Sequence, residues 1–479
     1  MADTQTNLAW ETLLDLSTTR PGPLHHQLAE AIRTAIRGGR LPLGSALPPS
    51  RVLATDLGVS RWTVTEAYGQ LATEGFLAGK TGSATRVSWS PEPDERRAVV
   101  HSHPGHADPR RHLPVRYDFS QCTPDFRAFP RRKWVEAIRT AAETAPFDRL
   151  GYAQPGGEPR LRGILADHLN RRRGTNIDPA LMTVFTGAKA AMGALARALY
   201  AEGHRLLAIE DPGSNGMWEP ARAAGLELVP LPVDERGIVA EALAEHPGVR
   251  AVCIGPAHQV VNGAELAPER RSWLLEWASR VDGLVIEDDY DSEFSYDRPA
   301  LPAMQGTDPR RVALIGSMSR TMTPTVNVGW AVVPGRWLTA LRPEPWTAPT
   351  APALNQLALA HFIESGSYDR HLRTSRQRFR TRRDALVAAL EQALPGARVS
   401  GQQAGLHMLL ELPPGASATR VMAAALRHEI ELCDLNLLRM AGDPDTTRLM
   451  VGYGNLADAQ VTAGVAALVE LIREAGGEG

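Results

Sequence analysis

The sequence predicts a multidomain chain, with a small mainly α unit of helix-turn-helix pattern followed by a larger α/β unit that ends in a smaller C-terminal α+β part. Three observations carry this reading. Residues 20–88 show helical apolar spacing broken by glycine and proline. Residues 89–116 hold five prolines, mixed charge and no apolar period, which reads as an extended linker. From Tyr117 onward short apolar runs alternate with longer helical or turn-rich stretches, the pattern of a largely parallel sheet. The divisions are therefore a lead-in at 1–19, a first unit at 20–88, a linker at 89–116 and a second unit at 117–479.

Composition narrows the class. A chain of 479 residues exceeds one ordinary core, and a net charge of −2 with 43% hydrophobic residues describes a soluble globular protein. Met1 to Trp10 carries no basic-apolar-small leader, and no apolar run approaches the roughly 20 residues of a membrane span, so a cytoplasmic protein without a membrane partner is expected. Cys122, Cys253 and Cys433 lie far apart without metal-ligand spacing and read as reduced, buried thiols. His101, His103 and His106 tempt a metal reading, but no second cluster completes a shell, and no metal is expected.

In the first unit, Leu24, Leu28, Ile32 and Ile36 recur every four residues and form the apolar stripe of a first helix, which Gly38-Gly39 ends. Pro48-Pro49-Ser50-Arg51 restarts a helix with Ser50 as its cap, and Leu53, Ala54 and Leu57 as its buried side. Gly58 makes the turn. Ser60 caps a third helix whose core side is Val64, Ala67, Tyr68 and Leu71, leaving Arg61, Trp62 and Thr65 outward. Gly75-Phe76-Leu77 and the glycines that follow predict a short strand and a hairpin.

In the second unit, Val184–Thr186, Leu206–Ile209, Ala251–Ile254, Leu284–Glu287 and Val312–Gly316 are the apolar runs expected to form strands. Ligands on such sheets lie outside the carboxyl ends of the strands.

Two motifs make the first unit specific. Gly39-Arg40-Leu41…Gly44…Leu47-Pro48-Pro49-Ser50-Arg51 and Leu57-Gly58-Val59-Ser60-Arg61-Trp62-Thr63-Val64…Ala67-Tyr68 resemble the winged helix-turn-helix of the GntR family. The resemblance implies double-stranded operator DNA as partner. Arg51, Arg61 and Thr63 are then expected at the major groove, Ser60 and its helix N-terminus on a phosphate, and the wing around Lys80 and Gly82 near the backbone, with Arg40 and Ser50 beside them. Residues 20–88 carry eight Lys/Arg against four Asp/Glu, a surplus that neutralises few phosphates, so two copies are needed for firm binding.

The second unit resembles the fold-type-I aminotransferase-like domain of MocR regulators. Tyr152 to Arg162, Thr186-Gly187-Ala188, Glu210 to Gly213, Gly255 to Gln259, Ile286 to Phe294, Leu314 to Trp330 and Ala404 to His407 carry the match. The resemblance implies a homodimer and a pyridoxal-phosphate site, with Asp288 at the ring nitrogen, Tyr290 at the ring hydroxyl, and Ser317 with the amides opening the Gly187 helix on the phosphate. The departures cluster at that site. Arg320 stands where the Schiff-base lysine is expected, Asn327 where a phosphate arginine is expected, Ser214 where an aromatic stacks on the ring, and Val261-Asn262-Gly263 where Pro-Thr-Gly is usual. A guanidinium stays protonated and offers no free amine to an aldehyde.

These changes predict no cofactor, no covalent pyridoxal phosphate and no catalytic residue. The expected function is a transcriptional regulator whose second unit dimerises and senses a small effector. Lys189, Ser214, His258, Asn262, Asp288, Tyr290, Ser317, Ser319, Arg320, Asn327 and Arg448 are the candidates for the former cofactor pocket. Arg320, Lys189 and Arg448 would make it cationic, suited to an anionic or polar ligand. Alternatives stay open: Arg320 and Asp288 pair and plug the hole, the domain is a dimer clamp without an effector, or Lys189 serves as a displaced aldimine lysine.

Overall fold

A computed structural model describes residues 10, 22–79, 84–89, 115–151, 154–297, 301–342, 350–401 and 404–476. The chain divides into two compact units, Met1–Asp108 and Pro109–Gly479.

Among the described residues the first unit holds three helices and a two-stranded antiparallel pair, with Trp10 buried in the same core. Helix α1 (Leu24–Arg37) buries Leu28, Ala29, Ile32, Ala35 and Ile36, while Leu24 remains exposed, so the stripe begins one turn later than predicted. Gly38 closes it and Gly39 turns the chain at φ +72°. Helix α2 (Ser50–Asp56) and helix α3 (Arg61–Thr73) follow, separated by Gly58 at φ +63°. Ser60 caps α3 by accepting the Thr63 N–H at 3.1 Å. Ser50 does not cap α2. Pro49 holds the cap position in extended backbone, Ser50 is the first helical residue, and no side chain closes that end. Tyr68, expected in the core, is only partly buried, because its hydroxyl reaches out to the Pro48 carbonyl at 3.0 Å. Strand β1 (Leu77–Ala78) pairs antiparallel with β2 (Arg86–Val87), and residues 80–83 between them lie outside the described residues.

The second unit begins at β3 (Tyr117–Phe119) and builds one large sheet from β4 (Met182–Phe185), β5 (Leu206–Asp211), β6 (Glu227–Asp234), β7 (Gly237–Ile238), β8 (Ala251–Ile254), β9 (Leu284–Asp289), β10 (Val312–Ser317) and β11 (Gly329–Val332). Their order is β4-β11-β10-β9-β8-β5-β6-β7. From β10 to β6 every pair is parallel, whereas β11 runs against both neighbours and β7 against β6. Helix α4 (Arg131–Thr144) and helix α5 (Pro159–Arg173) precede the sheet, and α6 (Ala188–Ala201), α7 (Asn215–Ala223) and α8 (Pro268–Arg280) cross over between strands. Burial on both faces explains the near-continuous apolar runs that made five strands legible. Ile209, Ile286 and Ile315 meet Met192, Leu195 and Trp218 of α6 and α7 on one face. Val252, Val285 and Val312 meet Leu274 and Trp277 of α8 on the other.

Strands β6 and β11 were missed. Pro230 and Pro232 disguise β6, which tolerates them because it lies near the sheet edge and pairs with β7 only at Val233 and Asp234. Residues of β11 fall inside the stretch assigned to cofactor binding. Gly329 on β11 is required sterically, since a Cβ there would meet Gly187 Cα at 2.6 Å.

The C-terminal part supplies α9 (Ala353–Glu364), the long α10 (Ser367–Ala393), β12 (Arg398–Ser400), β13 (His407–Glu411), α11 (Ala418–Ala425), β14 (Ile430–Leu432), β15 (Arg448–Gly452) and α12 (Val461–Gly476). Antiparallel β12-β13-β15 packs Met408, Leu410 and Val451 against Leu386, Val421 and Leu468 of the helices. Strand β14 pairs in parallel with β3, so the start of the second unit is built into its end.

Candidate functional site

On the first unit, Arg61 and Trp62 stand exposed at the start of α3, Arg51 on α2 and Arg40 on the loop between α1 and α2. Trp62 is 63% exposed and meets His25 edge-on at 5.3 Å. Thr63 is not placed to read a base: it is 6% exposed and its hydroxyl lies 2.8 Å from Ser60 Oγ. Its cap partnership turns it inward. Ser60 is exposed with its oxygen engaged in that cap, and Ser50 is half-buried. Lys80 and Gly82 lie outside the described residues, as does the histidine run at 101–106.

On the second unit, the carboxyl ends of β5 and β9 flank β8, which stops at Ile254. Glu210 is level with Ile254 and Asp288 lies one residue past it, so both acids sit at that end of the sheet. They border one cavity of about 10 Å³ with Ile209, Ser214, Trp218 and Tyr290, room for about one water. Asp288 is 7% exposed and its Oδ1 is buried without a hydrogen-bond partner. Burial pushes its carboxyl up to about 8, helped by the charges of Asp289, Glu210 and Asp291. Burial likewise pushes Glu210 up to about 7, against hydrogen bonds from the Gly255 backbone and Gln259.

Tyr290 Oη lies 2.8 Å from His258 Nδ1, which is itself 2.9 Å from Asp291 Oδ2. Burial disfavours the imidazolium, but the Asp291 carboxylate outweighs it and raises the His258 pKa. His258 Nε2 is buried without a partner. Behind this group, His407 Nδ1 lies 3.3 Å from Cys122 Sγ and its Nε2 lies 2.7 Å from the Val260 carbonyl. Burial pushes His407 down to about 3, aided by the His258 charge, so this imidazole is neutral.

The expected cations do not converge on the cavity. Arg320 Nη1 donates to the Cys122 carbonyl at 2.5 Å, and its guanidinium sits 5.4 Å from the Tyr290 ring centroid. Among the described residues it forms no salt bridge, and burial pushes its pKa down to about 10 with no carboxylate to offset it. Arg320 and Asp288 are therefore not an ion pair. Lys189 is exposed in the first turn of α6, beside Gly216. Arg448 opens β15 and bonds Asp445 Oδ2 at 2.6 Å, lining a separate 260 Å³ cavity with Met422, Leu432 and Leu435. No lysine or arginine among the described residues lines the Glu210–Asp288 cavity, which is acidic rather than cationic.

The remaining candidates divide. Ser214 lines the cavity at the cap position of α7. Asn262 does not: its amide donates to Asp234 O at 2.8 Å and its oxygen accepts Ala264 N–H at 2.9 Å, which fixes a loop. Asn327 is exposed at φ +56° after a short turn. Ser317 accepts Ser319 N–H at 3.3 Å and borders a different cavity of about 20 Å³ beside Arg173 and Glu293. Residue by residue, the sequence left Glu210, Gln259, Asp291 and Cys122 without a role. Glu210 had a usable signal, a carboxylate directly following an apolar run, as Asp288 is. Gln259, fully buried and bonded to Pro212 O, Val261 N and Asn262 N, had none.

Among the described residues no group of histidine, cysteine and acidic side chains is arranged to hold a metal, and no helix is long and apolar enough to cross a membrane.

Comparison with known proteins agrees with this architecture. Residues 24–87 match the family of bacterial regulatory proteins, gntR family, and residues 120–463 match aminotransferase class I and II. The chain is 32% identical over 462 residues to the probable rhizopine catabolism regulatory protein MocR of Rhizobium meliloti, covering 93% of each. It is 32% identical to the HTH-type pyridoxine biosynthesis transcriptional regulator PdxR of Corynebacterium glutamicum, covering 82% of this chain and 84% of that one. Among solved structures, an archaeal alanine:glyoxylate aminotransferase superposes with a TM-score of 0.68 at 22% identity, over 76% of this chain and 92% of that one. LysN, an α-aminoadipate aminotransferase of Thermus thermophilus complexed with N-(5'-phosphopyridoxyl)-L-leucine, gives 0.67 at 22% identity, over 75% and 92%. These two likenesses establish the fold. The chain belongs to the MocR subfamily of GntR-type transcriptional regulators, a GntR helix-turn-helix domain joined to a domain of the aminotransferase class I and II family.

Proposed function

We propose that this regulator grips operator DNA as a homodimer through α3 and its neighbours, and that its aminotransferase-like unit senses a small molecule without transaminating. The observation that carries the reading is chemical. No primary amine borders the cavity at the ends of β5 and β9 among the described residues, and the residue in the lysine's place is a guanidinium turned to a backbone carbonyl.

The site fits pyridoxal phosphate poorly. The unpartnered Asp288 would suit a ring N–H, but the other fittings are missing. Lys189 is at the surface, Asn327 is neutral and exposed, Tyr290 is bonded to His258, and the cavity holds about one water. A covalent cofactor needs an amine that can shed its proton, and a guanidinium does not supply one. Dimerisation is supported by apolar side chains that a lone protomer leaves in water: Val135, Ile138, Phe147, Leu150 and Leu354, with Phe147 94% exposed.

The test is spectroscopic. Purified protein incubated with pyridoxal phosphate is expected to show no borohydride-reducible visible chromophore, while retarding operator DNA in a gel shift. Appearance of that chromophore would overturn the sensor reading.

A further inference from the structure

The outward face of α3 carries Arg61, Trp62, Thr65, Glu66 and Gly69, while Thr63, Val64, Ala67 and Leu71 turn into the core. That face is the one a recognition helix lays in the major groove, with its first turn nearest the base edges. Trp62 is the largest side chain on it and is 63% exposed. An exposed indole alone needs no explanation, but three neighbours give this one a direction. His25 of α1 meets it edge-on at 5.3 Å and itself lies against His26, with ring centroids 4.3 Å apart, so the indole is braced from the α1 side. Thr65 donates its hydroxyl to the Arg61 carbonyl at 2.9 Å, which engages the polar atom within the helix and leaves the methyl for an outside contact. Gly69, two turns beyond Trp62, adds no side chain, and even a Cβ there would meet nothing within 4 Å.

We propose that Trp62 is a specificity-determining residue of this regulator, its indole and the Thr65 methyl together receiving the methyl group of a thymine in the major groove, beside the base assigned to Arg61. The inference rests on the reading of α3 as the helix that grips operator DNA, and it adds what the apolar patch on that helix selects. Thymine is the base that presents a methyl in the major groove, and apolar side chains are what read it. Trp62 and Thr65 lie three residues apart and are neighbours on the helix surface. An indole already braced by His25 loses little rotamer freedom on binding, so ordering offsets little of the contact. A phosphate is the poorer partner for this side chain. Tryptophan offers one N–H and no charge, while Arg61 and the amides opening α3 serve a phosphate better. Glu66, one turn from Trp62 on the same face, carries the charge that a phosphate avoids.

The experiment selects duplexes on the full-length protein from a pool randomised over about 30 base pairs, room for two half-sites. The enriched duplex is then remade with deoxyuridine in place of each thymidine in turn, which deletes one methyl and leaves the hydrogen-bonding edge unchanged. At one thymine in each half-site the substitution is expected to weaken binding by the parent about fourfold, the effect of one buried methyl. Trp62→Ala should bind the thymine duplex at least about fourfold more weakly than the parent and should not distinguish it from the deoxyuridine duplex. Iododeoxyuridine at the same position, irradiated on the unaltered protein, should cross-link to the peptide bearing Trp62, which keeps the site testable if the variant does not fold. A methyl scan without effect, a variant as methyl-dependent as its parent, or a cross-link elsewhere would overturn the assignment. A variant that changes sedimentation and keeps the methyl dependence would show that protein covers the indole instead, which overturns it too. Failure to enrich any duplex sinks the DNA-gripping reading beneath it; enrichment without methyl dependence sinks this inference alone.

Discussion

The guanidinium of Arg320 donates to the main-chain oxygen of Cys122 and leaves the carboxyl of Asp288 unpaired. Both side chains come from segments whose sequence resembles the cofactor site of aminotransferases, yet they do not meet here. Arg320 recovers part of its desolvation cost over the Tyr290 ring. Cys122 holds a left-handed φ of +57°, uncommon for a residue with a side chain.

Arg320→Lys should not restore a cofactor site. The substitution supplies an amine, but Asn327 still offers no cation for a phosphate and Tyr290 stays bonded to His258. Absorbance after borohydride reduction is expected to stay at the level of the parent protein; a stoichiometric aldimine would show that the amine alone was lacking.

Arg320→Ala should loosen the segment around Cys122. Loss of a charged hydrogen bond and of the ring contact predicts destabilisation of about 1–3 kcal/mol. Peptide-resolved thiol labelling should find Cys122, now buried, reacting faster than in the parent, while operator affinity in the absence of effector is nearly unchanged. Unaltered labelling would mean that other packing holds the segment.

Asp288→Asn should stabilise the protein at high pH. The folded carboxyl titrates near 8, whereas an unfolded aspartate titrates at about 3.9. Between those values the folded chain keeps a proton that the unfolded chain has released, so this group's contribution to stability falls as pH rises from about 4 to about 8. The variant should therefore melt higher than the parent at about pH 8.5, with the gap narrowing toward about pH 5. Glu210 and Glu287, both pushed up to about 7 by burial, contribute with the same sign. A gap that widens toward acid would refute the assignment.

In the DNA-reading unit, Arg61→Ala should cost roughly 1–3 kcal/mol and relax preference at one operator position, whereas Lys80→Ala should weaken all sequences alike and flatten the salt slope by about one unit. Thr63→Ala should leave sequence preference untouched and lower the thermal stability of α3, because the side chain serves the Ser60 cap. Gel shifts at several salt concentrations, on operators with single base changes, separate these outcomes.

Phe147→Asp should weaken self-association. A side chain 94% exposed on one protomer is an expensive use of an aromatic unless a second copy covers it. Sedimentation velocity is expected to show a larger monomer fraction than in the parent, with the fold intact by circular dichroism.

Periodicity made the main elements legible because burial on both sheet faces leaves continuous apolar runs, while burial of one face of α1 and α3 leaves an apolar stripe. Where it failed, a local rule had been overridden by position. Pro230 and Pro232 sit in a strand because that strand is near the edge, and Ser50 loses its cap to Pro49. The pocket was less legible still. Sequence identifies Arg320 as anomalous, but side-chain direction decides its partner, and direction depends on packing between β10, β13 and the Cys122 segment that no spacing encodes. The same limit misplaced Arg448, whose partner Asp445 lies three residues away along the chain.

The pairing of β3 with β14 has a further consequence for the start of the second unit. Arg116 and Tyr117 donate to the Glu429 carbonyl, and Gln460 donates to the Arg116 carbonyl, so the place where the chain departs toward the DNA-reading unit is fastened to the C-terminal part. Six residues later the same stretch reaches Cys122, whose carbonyl Arg320 holds. One short tether thus has its inner end at the pocket and its outer end at the root of the linker.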